Sequence, residues 1–297
     1  MTQITREQFD DFLTGVKTSF QGAFDGQEQT YTKIATVIPS SGKQETYAWL
    51  GDMPRIREWI GDRVLNEIAN HNYTIVNKTY EGTIRVNVDD LSDGSIGQYS
   101  ILAKGIGQAA ADFPEEQVYT VLQQGFAELC YDGQNFFDTD HPVMVDGEEE
   151  SFSNMQDGEG ETWFLLDTTK IVNPIIFQDR LKPEFVSLDT NASTMVFMKN
   201  EYAFGSKQRS NAGYSFPQLA FASKDPLTAD NLKAARKAMR KFKNDNGQSL
   251  KITPNVLVVG PNNEDMAEKL VNADKIGNEH NTIKGKYEVI VSSWIEE

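Results

Sequence analysis

The chain has 297 residues, enough for one to three domains around a sizeable core. Its 28 Lys and Arg face 44 Asp and Glu, a formal net charge of −16, with 39% of residues hydrophobic. So acidic a surface excludes general nucleic-acid binding, which needs a basic footprint, and docking on anionic lipid; it favours solubility or a cationic neighbour.

Residues 1–24 form a predicted amphipathic helix with Phe9, Leu13, Val16 and Phe20 on one face. Thr5 and Gln8 have capping-box spacing. The opening MTQITREQFDDF lacks the basic-then-apolar order of a signal peptide. A helix with a modest apolar face and a loose polar tether behind it (DGQEQTYTK) is an arm. Its face covers either the chain's own core or a neighbour. Residues 34–50 read as strand and turn, and 51–72 hold Arg55, Arg57, Trp59 and Arg63 close behind Trp49. Ile84, Val86 and Val88 alternate with Arg85 and Asn87, a half-buried strand. The whole excursion 41–92 is short of apolar residues for its length and is expected to need a partner surface. Its tryptophans and arginines suit interface anchors, and a small satellite core is the alternative.

The stretch 93–130 is the longest helical signal. Ile96, Tyr99, Leu102, Ile106, Ala109 and Phe113 line one face, and Asp93 and Ser95 are candidate caps. Pro114 suits the first turn of a second helix, carrying the face on through Val118, Val121, Leu122, Phe126 and Leu129. Together the two pieces, roughly 35 residues, would span about 50 Å. They make a spine on which sheets can lie. Cys130, the one cysteine, excludes an intrachain disulfide and reads as a small buried residue.

Residues 144–162 are acidic and glycine-rich, without the spacing of a calcium loop, and are expected to be a mobile solvated loop. From 163 to 222, WFLLD, PIIFQDR, EFVSL, STMVFM and YSFPQLAFAS predict a sheet of several strands, and EYAFGSKQRSNAGY a strand with a turn at Gly213. Residues 228–246 predict a helix capped by Thr228 and stopped by Gly247, with Leu232, Ala235, Met239 and Phe242 inward. Its outer face carries Lys233, Arg236, Lys237, Arg240, Lys241 and Lys243, suited to solvent or to an acidic surface of another copy. NVLVVG, NNEDMAEKLVNAD and YEVIVSSWI then read as strand, helix and strand.

Catalytic constellations are missing. The three histidines (His71, His141, His280) have no metal-ligand spacing, and no phosphate loop, GxSxG or dinucleotide fingerprint occurs. No apolar run reaches the roughly 18 residues of a membrane span. DTDHP, with His141 between Asp138 and Asp140, offers a base or a metal ligand; a turn explains the same letters. No cofactor or metal is expected.

YAWLGDMPRIREWIGDR, NKTYEGTIRVNVDDLSDGSIGQY, CYDGQNFFDTDHPV, WFLLD…NPIIFQDRLKPEFVS and EYAFGSKQRSNAGY…QLAFAS resemble the major head subunit of Mu-like phages and prophages. The resemblance runs in order from about Phe20 to the last strand. It implies an α+β chain with the Hong Kong 97 phage-type major capsid fold. Residues 1–40 would be the N-terminal arm, 41–92 the extended loop, 93–222 the peripheral domain with its spine helix (93–130) and acidic loop (144–162), and 223–297 the axial domain. One departure is that the sheet-rich block 163–223 precedes the Thr228 helix instead of closing the chain. The implied function is structural: hexamers and pentamers of one chain forming an icosahedral tailed-phage head, built in the host cytoplasm and enclosing double-stranded DNA without sequence specificity. Scaffold, protease, portal or decoration proteins would be further partners. The residues assigned to contacts between copies are Phe9, Leu13 and Phe20 in the arm and Trp49, Arg55, Arg57, Trp59 and Arg63 in the loop. The alternatives are the shell of a non-viral nanocompartment of the same fold and a soluble enzyme built on His141.

Overall fold

The computed structural model describes residues 6–50, 73–92, 96–145, 148–188, 194–244 and 247–295. The first helix, α1 (Arg6–Asp25), is followed by β1 (Ala35–Pro39), β2 (Gln44–Thr46), β3 (Thr74–Val76), β4 (Lys78–Asn87) and the short α2 (Val88–Ser92). The spine is α3 (Ile96–Gln124). After it come β5 (His141–Val145), β6 (Glu148–Phe152), β7 (Met155–Gln156), β8 (Trp163–Leu166), β9 (Ile175–Leu188), α4 (Thr194–Lys199), β10 (Glu201–Tyr214) and β11 (Ala220–Ser223). The last part holds α5 (Ala229–Met239), β12 (Val256–Val259), α6 (Glu264–Asn272), β13 (Lys275–Ile276), β14 (Glu279–His280) and β15 (Glu288–Val291).

Two sheets share the spine. One has the order β1-β9-β10-β4, with β1 parallel to β9 and the other pairs antiparallel. The other has the order β15-β12-β8-β11-β7. Strand alternation sorts its residues by face. Phe164, Leu166, Ala220, Ala222, Val256 and Val258 point to Val118, Tyr119 and Leu122 of α3. Trp163, Leu165, Phe221, Leu257 and Val259 point the other way, to Leu232, Ala235 and Met239 of α5 and Ala267, Leu270 and Val271 of α6. Both crossover helices therefore lie on one side of this sheet and the spine lies on the other. The expected boundary at residue 222/223 falls inside it, because β11 pairs with both β7 and β8, and β8 pairs with β12.

Several local expectations are corrected. The spine is one helix of 29 residues, about 43 Å long, with Pro114 in its interior. Proline removes one N–H and crowds the preceding turn, but dense packing around Val118, Tyr119 and Leu122 outweighs that cost. The acidic segment folds: β5 and β6 pair as an antiparallel hairpin, and the Gly160 N–H donates to the Lys224 carbonyl at 2.7 Å. Glu148 and Glu150 keep their charge in water on the hairpin while His141 and Val143 face inward. The 201–214 segment is one strand, with irregular register between Lys207 and Ser210 and no turn at Gly213. A Cβ at Gly213 would press on the side chains of Ile75 and Tyr73, so glycine serves close packing there. STMVFM contributes to a helix, α4, and α5 ends at Met239, before the expected Gly247. The expected cap holds: the Thr228 side chain accepts the Asn231 N–H at 3.2 Å.

Candidate assembly surfaces

The arm helix lies on the first half of the chain's own spine. Phe9, Phe12 and Val16 are buried there, in a cluster with Tyr99 and Ala103 of α3 and Tyr202 and Phe204 of β10, and Phe20 is buried further along, its ring 5.7 Å from that of Phe185 on β9. The Phe9 ring sits 4.2 Å from the Tyr202 ring, and Phe12 meets Tyr99 edge-on at 6.0 Å. At Gly107 the backbones approach so closely that a Cβ would run into the Phe20 carbonyl. Phe9 and Phe20 thus pack within the chain, and Leu13 is half-buried against the same cluster. Of the two occupants left open for this face, a single copy supplies its own spine.

Where the arm ends, the spine holds it with polar groups. The buried Glu115 carboxylate accepts the backbone N–H of Thr30 and of Tyr31 and the Thr30 hydroxyl, the last at 2.8 Å. Tyr119 joins through a 2.6 Å hydroxyl contact with Thr30, and burial pushes its phenol up. Two residues on, Gln117 donates to the Tyr80 hydroxyl at 2.9 Å and accepts from Ser210 at 2.7 Å, tying the spine to β4 and β10.

The base of the 41–92 excursion is fixed in the same way. β2 and β3 pair antiparallel. The Tyr47 hydroxyl donates to Gln178 at 2.8 Å, Gln178 donates to Asn77 at 2.7 Å, and Asn77 donates to Ser40 at 2.8 Å. Buried polar groups need such full partnering, so this chain sets where the excursion leaves the body. Burial pushes the Tyr47 phenol up to about 12. Trp49 is half-buried, 6.0 Å from the rings of both Tyr47 and Phe216. Arg55, Arg57, Trp59 and Arg63 lie outside the described residues.

His141 does not work with Asp138 and Asp140. Its ring is fully buried, stacked 4.9 Å from Phe152, and its Nδ1 lies 2.8 Å from Asp132 Oδ2. The other Asp132 oxygen accepts the Cys130 thiol at 3.0 Å and the Gln134 N–H at 3.0 Å. Burial alone would raise the Asp132 carboxyl, but the hydrogen bonds from His141 and Cys130 outweigh it and hold it below the usual carboxylate range. Burial and the neighbouring carboxylate push the Cys130 thiol up, so it keeps its proton. These three side chains are types that bind metals, and their ligand atoms lie within 4.8 Å of one another. A protonated thiol is a poor ligand and a poor nucleophile, and the hydrogen bonds already use the facing atoms. The arrangement closes the segment after the spine onto β5.

Comparison with known proteins places this architecture. Residues 9–295 match the family described as Mu-like prophage major head subunit gpT. The chain belongs to that family. It is 38% identical to the major capsid protein of Escherichia phage Mu, over 98% of this chain and 99% of the relative. It is 40% identical to the Mu-like prophage FluMu major head subunit of Haemophilus influenzae, over 91% of each. A chain from the procapsid of bacteriophage JBD30 superposes with a TM-score of 0.86 at 39% identity, covering 98% of this chain and 100% of that one. The gpT family member described here is accordingly a structural major capsid protein with a phage capsid fold, a component of the virion and not an enzyme. These full-length relatives are phage head proteins, which favours a head over a nanocompartment. No helix among the described residues is long and apolar enough to cross a membrane.

Sequence reasoning missed Glu115, Gln117, Asp132 and Gln178. The available signal was a polar residue inside an apolar run, as in PIIFQD, where a buried amide must find partners.

Proposed function

We propose that copies of this chain form hexamers and pentamers that close into an icosahedral tailed-phage head around double-stranded DNA. The observation that carries this is the match of the whole chain, spine and both sheets included, to a procapsid subunit. In this reading the 41–92 excursion lies across a neighbouring copy, with Trp49, Arg55, Arg57, Trp59 and Arg63 as anchors. Phe9, Leu13 and Phe20 reach a neighbour only where α1 leaves its own spine. Such contacts act together, so single ones below the roughly 1,000 Å² of a stable interface suffice. Contact with DNA is weak and unspecific, given the net charge of −16.

The domain division follows the arm (1–40), the loop (41–92) and the spine with the long strands as peripheral part. The axial part is built on the five-stranded sheet with α5 and α6. Negative-stain imaging of the purified full chain tests the assembly: uniform closed shells are expected, and particles that stay monomeric at high concentration overturn it. Trp59→Ala is expected to lower shell yield while the circular dichroism melt stays at the wild-type value; normal shells from that variant would remove the loop-anchor assignment.

A further inference from the structure

Helix α5 carries Lys233 and Lys237 on the face opposite the buried Leu232, Ala235 and Met239, and Arg240 and Lys241, in the turn that ends the helix, continue the basic stripe. All four are exposed. Arg236, beside them, is engaged inside the chain: it donates to the Pro254 carbonyl at 3.0 Å and lies over the Tyr287 ring. Among the described residues Lys233 pairs with Asp230 alone, at 3.7 Å with both groups in water, a pair of small weight. Among the described residues no carboxylate pairs with Lys237, Arg240 or Lys241. A helix C-terminus favours one or two cations in its last turn. It does not account for a stripe that begins at Lys233, on a chain whose remainder is strongly acidic.

The complementary surface lies on the same layer. α6 exposes Glu264, Asp265 and Glu268. Glu161 extends this patch, since it accepts from Asn262 at 2.6 Å, just ahead of that helix. α5 and α6 cover the same face of the five-stranded sheet but different strands, α5 over β11 and α6 over β12 and β15. No ion pair joins them within the chain, among the described residues. Around the acidic patch the β15 side is also apolar at the surface: Met266 on α6, Val291 and Trp294 are all exposed. Exposed apolar side chains beside charged ones are the make-up of a protein interface.

We infer that the basic stripe of α5 in one copy docks on the acidic α6 edge of the next copy, a head-to-tail contact that repeats around a ring. Two different patches on one chain that fit each other make a heterologous contact, and such contacts close into rings when the rotation permits. Duplex DNA fits the stripe less well, because Glu161, Glu264, Asp265 and Glu268 stand on the same layer and repel phosphate. The inference rests on the self-assembly reading above and adds the surfaces that meet.

The test uses the full chain and charge reversal in both directions. Lys237→Glu/Arg240→Glu/Lys241→Glu is expected to lower the assembled fraction about tenfold, by sedimentation, with an unchanged circular dichroism melt. Asp265→Lys/Glu268→Lys is expected to do the same. Both sets in one chain should restore assembly to within about twofold of wild type, since the pairing is swapped and not removed. A zero-length carbodiimide crosslink on mixed 14N and 15N wild-type chains supplies an independent reading. Isotopically mixed links between Lys237 or Lys241 and α6 carboxylates are expected. Wild-type assembly of the reversed α5 variant, a swap that restores nothing, or an absence of mixed links overturns the inference. Shells that form normally but lose DNA would assign the stripe to nucleic acid and likewise overturn it. A wild-type chain that forms no shells strikes the self-assembly reading instead, and is seen separately in that control.

Discussion

The two halves of the spine helix are held in different ways. From Glu115 onward α3 is wedged between two sheets: Val118, Tyr119 and Leu122 are completely buried, and Glu115 and Gln117 are satisfied by the arm, β4 and β10. Before Pro114 the helix is covered by α1 and by the far ends of the long strands, while Ile101 is 71% exposed and Leu102 46%. One half is a fixed hub. The other is a seat whose cover is a single amphipathic helix joined to the body by a polar tether. A terminal helix held by one apolar stripe can open locally without unfolding the rest, because its contacts all lie on one face.

Substitutions should divide along the same line. Phe164→Ala, in the double-sided core, is expected to cost about 3–5 kcal/mol by urea denaturation and to unfold the chain as a whole. Phe12→Ala removes a buried ring of similar size, yet its main effect should be local: faster hydrogen exchange over residues 6–25 and protease cleavage there, with the main melt little changed. A global drop equal to that of Phe164→Ala would erase the contrast. Glu115→Gln should cost about 1–3 kcal/mol, because charge-assisted bonds to Thr30 and Tyr31 weaken, and should loosen the arm's end. Ile101→Ser, on the exposed part of the seat, should stay within about 0.5 kcal/mol of wild type in the isolated chain.

The pH limits sharpen the comparison from the hub side. Asp132 is held below its unfolded value, so its contribution is fully present above about pH 4 and drains as pH falls through its lower folded value. Asp132→Asn should flatten the acid limb of a stability–pH curve. Tyr47 and Tyr73 are raised by burial to about 12, so the folded state keeps protons that the unfolded chain releases near pH 10. Stability should therefore fall from about pH 10 to pH 12, and Tyr47→Phe should reduce that loss.

Much of the layout was legible in the chain itself. The spacing of Phe9, Val16 and Phe20 marked α1, Thr228 marked the start of α5, and alternation across Ile84 and Val86 marked β4. Boundaries failed where context overrode local signals: Pro114 did not break α3, Gly213 did not turn β10, and the glutamates after Gly147 did not prevent β6. Each failure has one cause: a residue's local preference is about 1 kcal/mol or a few, and packing against several neighbours exceeds it.

The sequence by itself determined the periodic apolar faces, the basic stripe on α5 and the blocks that mark the family, because these depend only on residue type and spacing. Tertiary structure decided that strands on both sides of residue 223 share a sheet, that His141 answers to Asp132 and Cys130, and that α1 closes on its own spine. Those outcomes join positions far apart along the backbone or aim a side chain to one side of it. Only the folded chain sets such distances.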